Sequence, residues 1–310
     1  MTGLALTRRS ALAGIALAIT ALAVPVHAQA PLQAVASFTI LGDLVAEIGG
    51  DRVAVTTLVN AGGDAHVFEP GTRDARTVGG ADIVFANGLG FDPWMDRLAT
   101  STEYAGPFVV VSAGVMPLRF EDEDEGADHA GHEHEHDDDP HAWQSVANVR
   151  LYVATIADAL VAADPAGEAS YRANLAAYLA ELDALEADIV AAVASLPEAN
   201  RTVITSHDAF GYFGAAYGLT FLAPVGVSTE AEATPAAVAR LIDQIRATGV
   251  RAVFIESMTN PRLIEQIARE TGATFGGELY ADALSPPDGP APTYLAMMRY
   301  NIETIAAALR

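Results

Sequence analysis

The sequence predicts an α/β protein of two lobes, each a parallel β-sheet flanked by helices, joined by one long rigid α-helix. Apolar segments of strand length alternate with helix-length segments, and this alternation occurs twice along the chain. Strands separated by helix-length connections pair in parallel, because the crossover helix returns the chain to the same end of the sheet. The 310 residues, of which 51 % are hydrophobic, are enough to bury two cores.

The first 28 residues have the pattern of a secretory signal peptide. Arg8 and Arg9 precede an uncharged apolar run from Ala11 to Val26, and small residues follow up to Ala28. That run is shorter than the roughly 20 residues needed to cross a bilayer, which argues against a membrane anchor. We therefore predict residues 1–28 as a signal peptide cleaved after Ala28, and a periplasmic location. The pair Arg8-Arg9 leaves the export route open between the general and the twin-arginine pathways.

Two series of predicted strands define a first lobe over residues 29–164 and a second lobe over residues 197–310. The strands are Val53–Val59, Asp82–Ala86 and Phe108–Ser112 in the first lobe, and Thr202–Thr205, Phe221–Ala223, Ala252–Glu256 and Thr274–Leu279 in the second.

A helical pattern over residues 165–196 separates the two series. Apolar side chains recur at intervals of three and four between Leu175 and Val193, which is typical of one helix face. The pair Asp164-Pro165 is typical of a helix start, and Pro197 of a helix stop. About 30 residues at 1.5 Å each make a rod roughly 45 Å long. Such a rod can span both lobes, so we expect little hinge freedom between them.

The charge balance excludes some partners and favours others. All 17 basic residues are Arg, against 40 acidic residues, for a formal charge of −23. This is the wrong sign for binding nucleic acid or an anionic membrane surface, and it favours cations. The chain has no Cys, so any metal must be held by His and carboxylate groups.

The segment 121–139 is the most polar part of the chain. It contains eleven acidic residues and four His, and Ala is its only apolar side chain. Such a segment cannot bury a core, so we predict a disordered loop. Residues 132–136 match the H-E-x-x-H motif, but that motif requires a helix packed in a core. We expect either a solvated acidic loop of no chemical consequence, or weak, exchangeable metal sites at His129, His132, His134 and His136.

Four other metal-binding side chains lie where predicted strands end or helices begin, two in each lobe. Loops at the carboxyl ends of parallel strands commonly build ligand sites. Imidazole and carboxylate both suit a zinc-sized cation, and three His with one Asp complete a tetrahedron. Each residue alone could equally be a core or capping group, and their joint placement is what predicts a metal site. They are His66, His141, His207 and Asp282.

These motifs, in this order, resemble the metal-binding solute-binding proteins of ABC transporters (cluster A-I, or family 9). The resemblance covers essentially the whole mature chain and rests on G-D-x-H-x-F-E-P, D-P-H-x-W, S-H-x-A-F-x-Y-F, the acidic segment and the central helix. It implies one metal in the cleft between the lobes, with His66 and His141 as the first two ligands. The third ligand in the manganese branch is usually a carboxylate, whereas here it is His207, and Asp282 matches the fourth position. The chain looks most similar to the AztC-type zinc binders, which implies Zn²⁺.

The predicted function is capture of Zn²⁺ in the periplasm and its delivery to an ABC-type import permease, without enzymatic activity. Four protein ligands leave no open position for a substrate or an activated water. The alternatives are a zinc hydrolase using the three His, a metal-buffering or adhesin-type protein whose main site is the acidic loop, and transport of Mn²⁺. We expect a monomer whose partners are the permease and, as a further candidate, a periplasmic metallochaperone.

Two finer expectations concern the site. A carboxylate on a turn is easier to displace than an imidazole in packed structure, so Asp282 and its turn are expected to move away when the metal is released. Glu256, at the end of a predicted strand, is a candidate acceptor for a ligand His. Its alternative role is a charge that ends or caps the strand.

Overall fold

The structure, a computed structural model, describes residues 30–119, 138–230 and 232–310. It consists of two four-stranded parallel sheets with helices packed against them, which confirms the predicted fold class. The signal peptide and the histidines of the acidic segment lie outside the described residues.

The first sheet has the strand order β2-β1-β3-β4. Its strands are β1 Leu32–Ala36, β2 Val53–Thr57, β3 Ile83–Ala86 and β4 Phe108–Val110, and its connections contain α1 Thr39–Gly49, α2 Thr72–Gly79 and α3 Pro93–Ser101. All four residues of β3 are buried, as expected for a parallel strand covered on both faces. Strand β1, which pairs with both β2 and β3, is absent from the predicted strands. Its Leu-Gln-Ala-Val-Ala composition has weak strand propensity, and tertiary burial decides its conformation.

The second sheet repeats this arrangement in the order β6-β5-β7-β8. Its strands are β5 Thr202–Ile204, β6 Thr220–Leu222, β7 Ala252–Glu256 and β8 Thr274–Leu279, and its connections contain α6 Gly211–Tyr217, α7 Pro235–Thr248 and α8 Arg262–Thr271. The register between β7 and β8 shifts after Val253. Gly276 lies at this irregularity, where a β-carbon would come within 2.6 Å of the Phe254 ring. A residue without a side chain is therefore needed there.

Three long helices connect and cover the two sheets: α4 Val146–Ala163, α5 Glu168–Ala194 and α9 Tyr294–Leu309. Helix α5 joins the two halves of the chain and packs against α1, α4 and α9. Its 27 residues correspond to about 40 Å of helix. Within the described ranges, α4 is the one helix long and apolar enough to span a bilayer. It packs against α1 and α5, with Val149, Tyr152 and Ile156 in the core.

The packed core explains why the two halves form one compact unit over Pro31–Arg310. The larger buried cluster extends from β1 and α1 through α4 and α5 to Phe213 and Leu279 in the second half. A smaller separate cluster lies between the second sheet and helices α7 and α8. The long helices are thus shared by both halves, which is consistent with the expected restriction of hinge motion.

Several predicted boundaries are wrong by one or two residues, as for the predicted strands Val53–Val59 and Phe221–Ala223, and three more have a clear physical reason. The predicted strand 108–112 ends at Val110, because a short 3-10 turn begins at Val111. The predicted helix 165–196 begins with a 3-10 turn and becomes α-helical at Glu168. The Asp164 carboxylate accepts hydrogen bonds from Arg52 and from the Tyr171 hydroxyl.

The third error concerns the acidic segment, which we predicted to be disordered over 121–139. Its last two residues belong to the folded protein: Asp138 pairs with Arg119 in an antiparallel bridge, and Asp139 is fully buried. Asp139 is held because its carboxylate and its backbone both have hydrogen-bond partners. Composition alone does not show these partners.

Candidate metal centre

The strand order explains where the candidate site lies. In each sheet the first strand lies between the second and the third, so the chain connections diverge from a crevice at the carboxyl ends of the middle strands. In the second sheet His207 follows β5, and Glu256 is the last residue of the neighbouring β7. In the first sheet Asn87 follows β3, where its amide donates to the Pro140 carbonyl at 3.0 Å. The two crevices face the same space.

The four predicted ligands meet in that space. One nitrogen from each of His66, His141 and His207 and one oxygen of Asp282 all lie within 4.8 Å of one another. The Asp282 oxygens lie 3.1 Å from His207 Nε2, 3.4 Å from His66 Nε2 and 3.5 Å from His141 Nε2. His66 Nε2 and His141 Nε2 are 3.3 Å apart. Three imidazole nitrogens therefore converge on one carboxylate.

His66 and His141 are positioned by the same local motif, an Asp two residues earlier. Asp64 Oδ1 accepts from His66 N at 2.9 Å, and Asp139 Oδ1 accepts from His141 N at 2.9 Å. Both are Asx turns, in which a side chain replaces a backbone acceptor. Asp139 Oδ1 also lies 2.8 Å from His141 Nδ1, which leaves Nε2 of that ring directed at the site.

His207 is held by Glu256. Glu256 Oε1 accepts from the backbone N–H groups of Ser206 and His207 at 2.9 and 3.0 Å, and Oε2 lies 2.5 Å from His207 Nδ1. A carboxylate on Nδ1 keeps the proton on that nitrogen and leaves the Nε2 lone pair for a metal. Glu256 thus accepts from the backbone of His207, and its other oxygen lies beside the ring without meeting hydrogen-bonding geometry, so its control of the ring proton stays a prediction.

Asp282 lies on a turn, but that turn is not loosely held. The Ala281 carbonyl accepts from Trp143 Nε1 at 2.9 Å and from Gln144 Nε2 at 3.0 Å. Asn301 bonds both the N–H and the carbonyl of Tyr280. Asp282 itself is fully buried, like His141. Neighbours on several elements therefore hold this turn, which argues against easy displacement of Asp282, and its movement on metal release stays a prediction.

The charges of the site favour a cation. Asp139, Glu256 and Asp282 are all 0 % exposed, so neutral imidazoles would leave three buried negative charges, which are costly without compensation. Burial lowers the pKa of His207, but Glu256 and Asp282 outweigh this and raise it well above 6.5. Burial raises the pKa of Asp282, but His207 and His141 outweigh it and hold it well below 3.8. Both shifts have the same cause: the buried carboxylates favour positive charge in this space.

Buried polar atoms without hydrogen-bond partners also indicate a site for a cation. Within the described part of the chain, both oxygens of Asp282 and Nε2 of His207 are buried without a partner in hydrogen-bonding geometry. Buried polar atoms normally have partners, and exceptions need an explanation. These atoms point toward one another and toward two further imidazoles, so a divalent cation satisfies all of them at once.

Sequence reasoning named the four side chains that meet here and also Glu256, but it gave no role to the other residues that contact them. Asp139 and Tyr212 belong to the motifs D-P-H-x-W and S-H-x-A-F-x-Y-F, but the sequence assigns neither of them a role, and Asn87 lies outside both motifs. The repeated spacing D-x-H, in Asp64-Ala65-His66 and in Asp139-Pro140-His141, could have indicated Asp139. Asn87 and Tyr212 bond the carbonyls of Pro140 and Asp139, just before His141, and only the tertiary structure brings these distant residues together.

The fold and the site together define a two-lobed binding protein for a divalent cation. Residues 34–308 match the family described as ZnuA, zinc-uptake complex component A, periplasmic. The chain belongs to this family. It is an exported metal-binding solute-binding protein of an ABC transporter, and such proteins work with a membrane permease and its ATPase. It is not an enzyme, and this removes the zinc hydrolase alternative.

Relatives in the family carry different metals in their names. The chain is 36 % identical to the manganese-binding lipoprotein MntA of Halalkalibacterium halodurans, over 90 % of this chain and 88 % of that protein. It is 33 % identical to the iron-binding protein YfeA of Yersinia pestis, over 88 % and 84 %. The solved periplasmic zinc-binding protein TroA of Treponema pallidum superposes with a TM-score of 0.82 at 29 % identity, over 90 % of this chain and 99 % of TroA.

Proposed function

We propose that this protein captures Zn²⁺ in the periplasm and delivers it to the permease of an ABC importer. His66, His141, His207 and Asp282 are the proposed ligands. The observation that carries this proposal is the convergence of three imidazole nitrogens and one carboxylate in a buried space, all within 4.8 Å of one another.

The chemistry of the donors favours zinc over manganese. Mn²⁺ prefers more oxygen ligands and a higher coordination number, whereas three nitrogens and one oxygen suit four-coordinate Zn²⁺. Two of the three His also have a carboxylate at Nδ1, an arrangement that is common around zinc. Relatives named for manganese, iron and zinc are all similar to this chain, so the proposal of zinc rests on the donor set.

A competition titration tests the metal. We expect the wild type to bind one Zn²⁺ tightly against a chromophoric chelator and to prefer it to Mn²⁺. Cu²⁺ is included because it binds imidazole as well as or better than Zn²⁺. The variant His207→Ala should lose most of the preference for Zn²⁺ over Mn²⁺. A wild type that prefers Mn²⁺ would overturn the zinc assignment.

Deletion of the acidic segment tests the metal-buffering alternative. Asp138 and Asp139 are part of the fold, so the deletion should cover residues 121–136 and keep both. This removes His129, His132, His134 and His136, the proposed weak sites, which lie outside the described residues. We expect one tight site to remain and only weak binding to disappear. Loss of the tight site would favour the alternative.

The remaining features of the proposal can be measured directly. Mass spectrometry of the exported protein should show a mature chain that begins after Ala28, as expected for a signal peptide over 1–28. Light scattering should show a monomer. The proposed organisation is a first lobe over 29–164, a linking helix over 165–196 and a second lobe over 197–310. A periplasmic metallochaperone stays a predicted partner.

A further inference from the structure

Tyr212 connects the two parts of the protein that carry His141 and His207. It lies on α6, five residues after His207, and is 4 % exposed. Its hydroxyl accepts from Leu118 N at 2.9 Å and donates to the Asp139 carbonyl at 3.2 Å. One phenol oxygen thus contacts two separate segments of the first half of the chain.

Leu118 and Asp139 are themselves neighbours. Asp139 N donates to the Leu118 carbonyl at 2.8 Å, and the next residues inward, Arg119 and Asp138, form an antiparallel bridge. In an antiparallel ladder the opposite bond would run from Leu118 N to the Asp139 carbonyl. The Tyr212 hydroxyl links these same two groups, so it closes the pair from the side of α6.

Asp139 passes this restraint on to a ligand. Its Oδ1 lies 2.8 Å from His141 Nδ1 and accepts from His141 N at 2.9 Å. Two contacts therefore restrain the Asp139 residue from both sides: its carbonyl is bonded to Tyr212, and its carboxylate to His141. A shift of the Asp139 backbone would rotate the carboxylate away from the ring.

The residue before Tyr212 shows how closely α6 approaches Asp139. A β-carbon on Gly211 would lie 2.6 Å from Asp139 Oδ2. That distance is well below an ordinary contact, so any larger residue at 211 must displace either the helix or the carboxylate. Gly211 and Tyr212 together seat Asp139 against the start of α6.

We propose that Tyr212 is a positioning residue for metal binding, which acts through Asp139 to orient His141. This inference rests on the proposed function and extends it by one residue that does not touch the metal. It makes the geometry of a ligand in the first half depend on a hydroxyl supplied by the segment that carries His207.

The test compares Tyr212→Phe with Tyr217→Phe. Tyr217 is on the same helix, and its hydroxyl also joins a backbone N–H, that of Val146, to an acceptor, Glu186. It has no bond to Asp139 or His141 among the described residues, so it is a matched control. We expect Tyr212→Phe to weaken Zn²⁺ binding about tenfold, the lower end of losses from outer residues of metal sites. Tyr217→Phe should stay within twofold of the wild type.

A spectroscopic signature and a double-mutant cycle separate positioning from general destabilisation. With Co²⁺ as the probe, the visible d–d bands should shift in Tyr212→Phe and not in Tyr217→Phe. In an Asp139→Asn background, Tyr212→Phe should add little further loss, because both act on the same path. Equal effects of the two Tyr variants, unshifted Co²⁺ bands, or losses that multiply in the double variant would each overturn the proposal.

The test of Tyr212 and the test of the proposed function can fail independently of each other. The ratio of affinities between Tyr212→Phe and wild type can be measured with Mn²⁺ or Co²⁺ as well as with Zn²⁺. A wild type that prefers Mn²⁺ would overturn the zinc assignment and leave this ratio meaningful. A tight Zn²⁺ site with an unchanged ratio would overturn the role of Tyr212 and leave the zinc assignment in place.

Discussion

Replacement of Glu256 by Gln tests whether an outer carboxylate controls the metal-binding form of His207. Glu256 Oε1 accepts two backbone N–H bonds, and Oε2 lies 2.5 Å from His207 Nδ1. In Gln the amide oxygen can keep the two backbone bonds, so the NH₂ group faces Nδ1. A donor at that position requires Nδ1 to be an acceptor, and the ring proton then lies on Nε2. The substitution thus blocks the nitrogen that should bind the metal.

The expected loss of Zn²⁺ affinity is estimated from other metal sites in which a carboxylate orients a ligand His. Removal of an outer partner commonly costs 10- to 100-fold in metal affinity, which is about 1.4 to 2.8 kcal/mol since each tenfold is about 1.4 kcal/mol. We expect a loss in this range because the 2.5 Å contact is fully buried and water cannot replace it. The assay is a Zn²⁺ competition titration at pH 7.5.

The matched control is Glu278→Gln. Glu278 lies on β8 opposite Ile255, the neighbour of Glu256 in β7, and its side chain is exposed. Glu278→Gln therefore makes the same change of charge on the adjacent strand, at a residue that does not contact His207. If Glu256→Gln binds Zn²⁺ within twofold of Glu278→Gln, the argument that the carboxylate sets the tautomer of His207 is wrong.

Three further predictions follow from other parts of the structure. Asp282→Ala removes the anionic ligand and should speed Zn²⁺ dissociation, followed by stopped-flow with excess chelator, by at least about tenfold; an unchanged rate would exclude Asp282 as a ligand. Leu182 lies in the buried face of α5, so Leu182→Ala should lower the free energy of urea unfolding by about 2–5 kcal/mol. The control is Val190→Ala, at a half-exposed position on the same helix, which should change that free energy by less than about 0.5 kcal/mol. Burial raises the pKa of Asp43 to about 7, although its carboxylate accepts from Tyr294 N. The folded state therefore binds this proton more tightly than the unfolded state does. As a result, Asp43 lowers the stability of the fold as pH rises from about 4 to 7. Asp43→Asn keeps the acceptor and removes that loss, so the difference in Tm between the variant and the wild type, both metal-free, should grow from pH 5 to pH 7.5, and a constant difference would contradict the raised pKa.

Much of the architecture could be predicted because parallel α/β folds have strong local signals. The predicted strands Ala252–Glu256 and Thr274–Leu279 have the observed bounds, and the first is an apolar run of strand length. Strand β1 was missed because its composition carries little propensity, and it becomes a strand by pairing with β2 and β3. A 3-10 turn precedes α5 and ends at Gly167, where a side chain would meet Arg52, Tyr171 and the Asp164 carboxylate. Of these three, Arg52 is distant in the sequence, so this contact is set by the tertiary structure.

The sequence by itself determined the kinds of donor and their approximate positions. With no Cys, and with His66, His141, His207 and Asp282 placed at the ends of strands or the start of a helix, a nitrogen-rich cation site was the natural hypothesis. These features are local, because they depend on residue type and on nearby turn chemistry.

Only the tertiary structure decided how those donors are oriented. The carboxylates of Asp139 and Glu256 contact the rings of His141 and His207, and Tyr212 donates to the Asp139 carbonyl. Glu256 is 49 residues from His207 in sequence, and Tyr212 is 73 residues from Asp139. The turn of Asp282, which resembles a mobile loop in sequence, is held by Trp143, Gln144 and Asn301. The orientation of a buried imidazole depends on which acceptor reaches its other nitrogen, and long-range packing brings most of these groups into place.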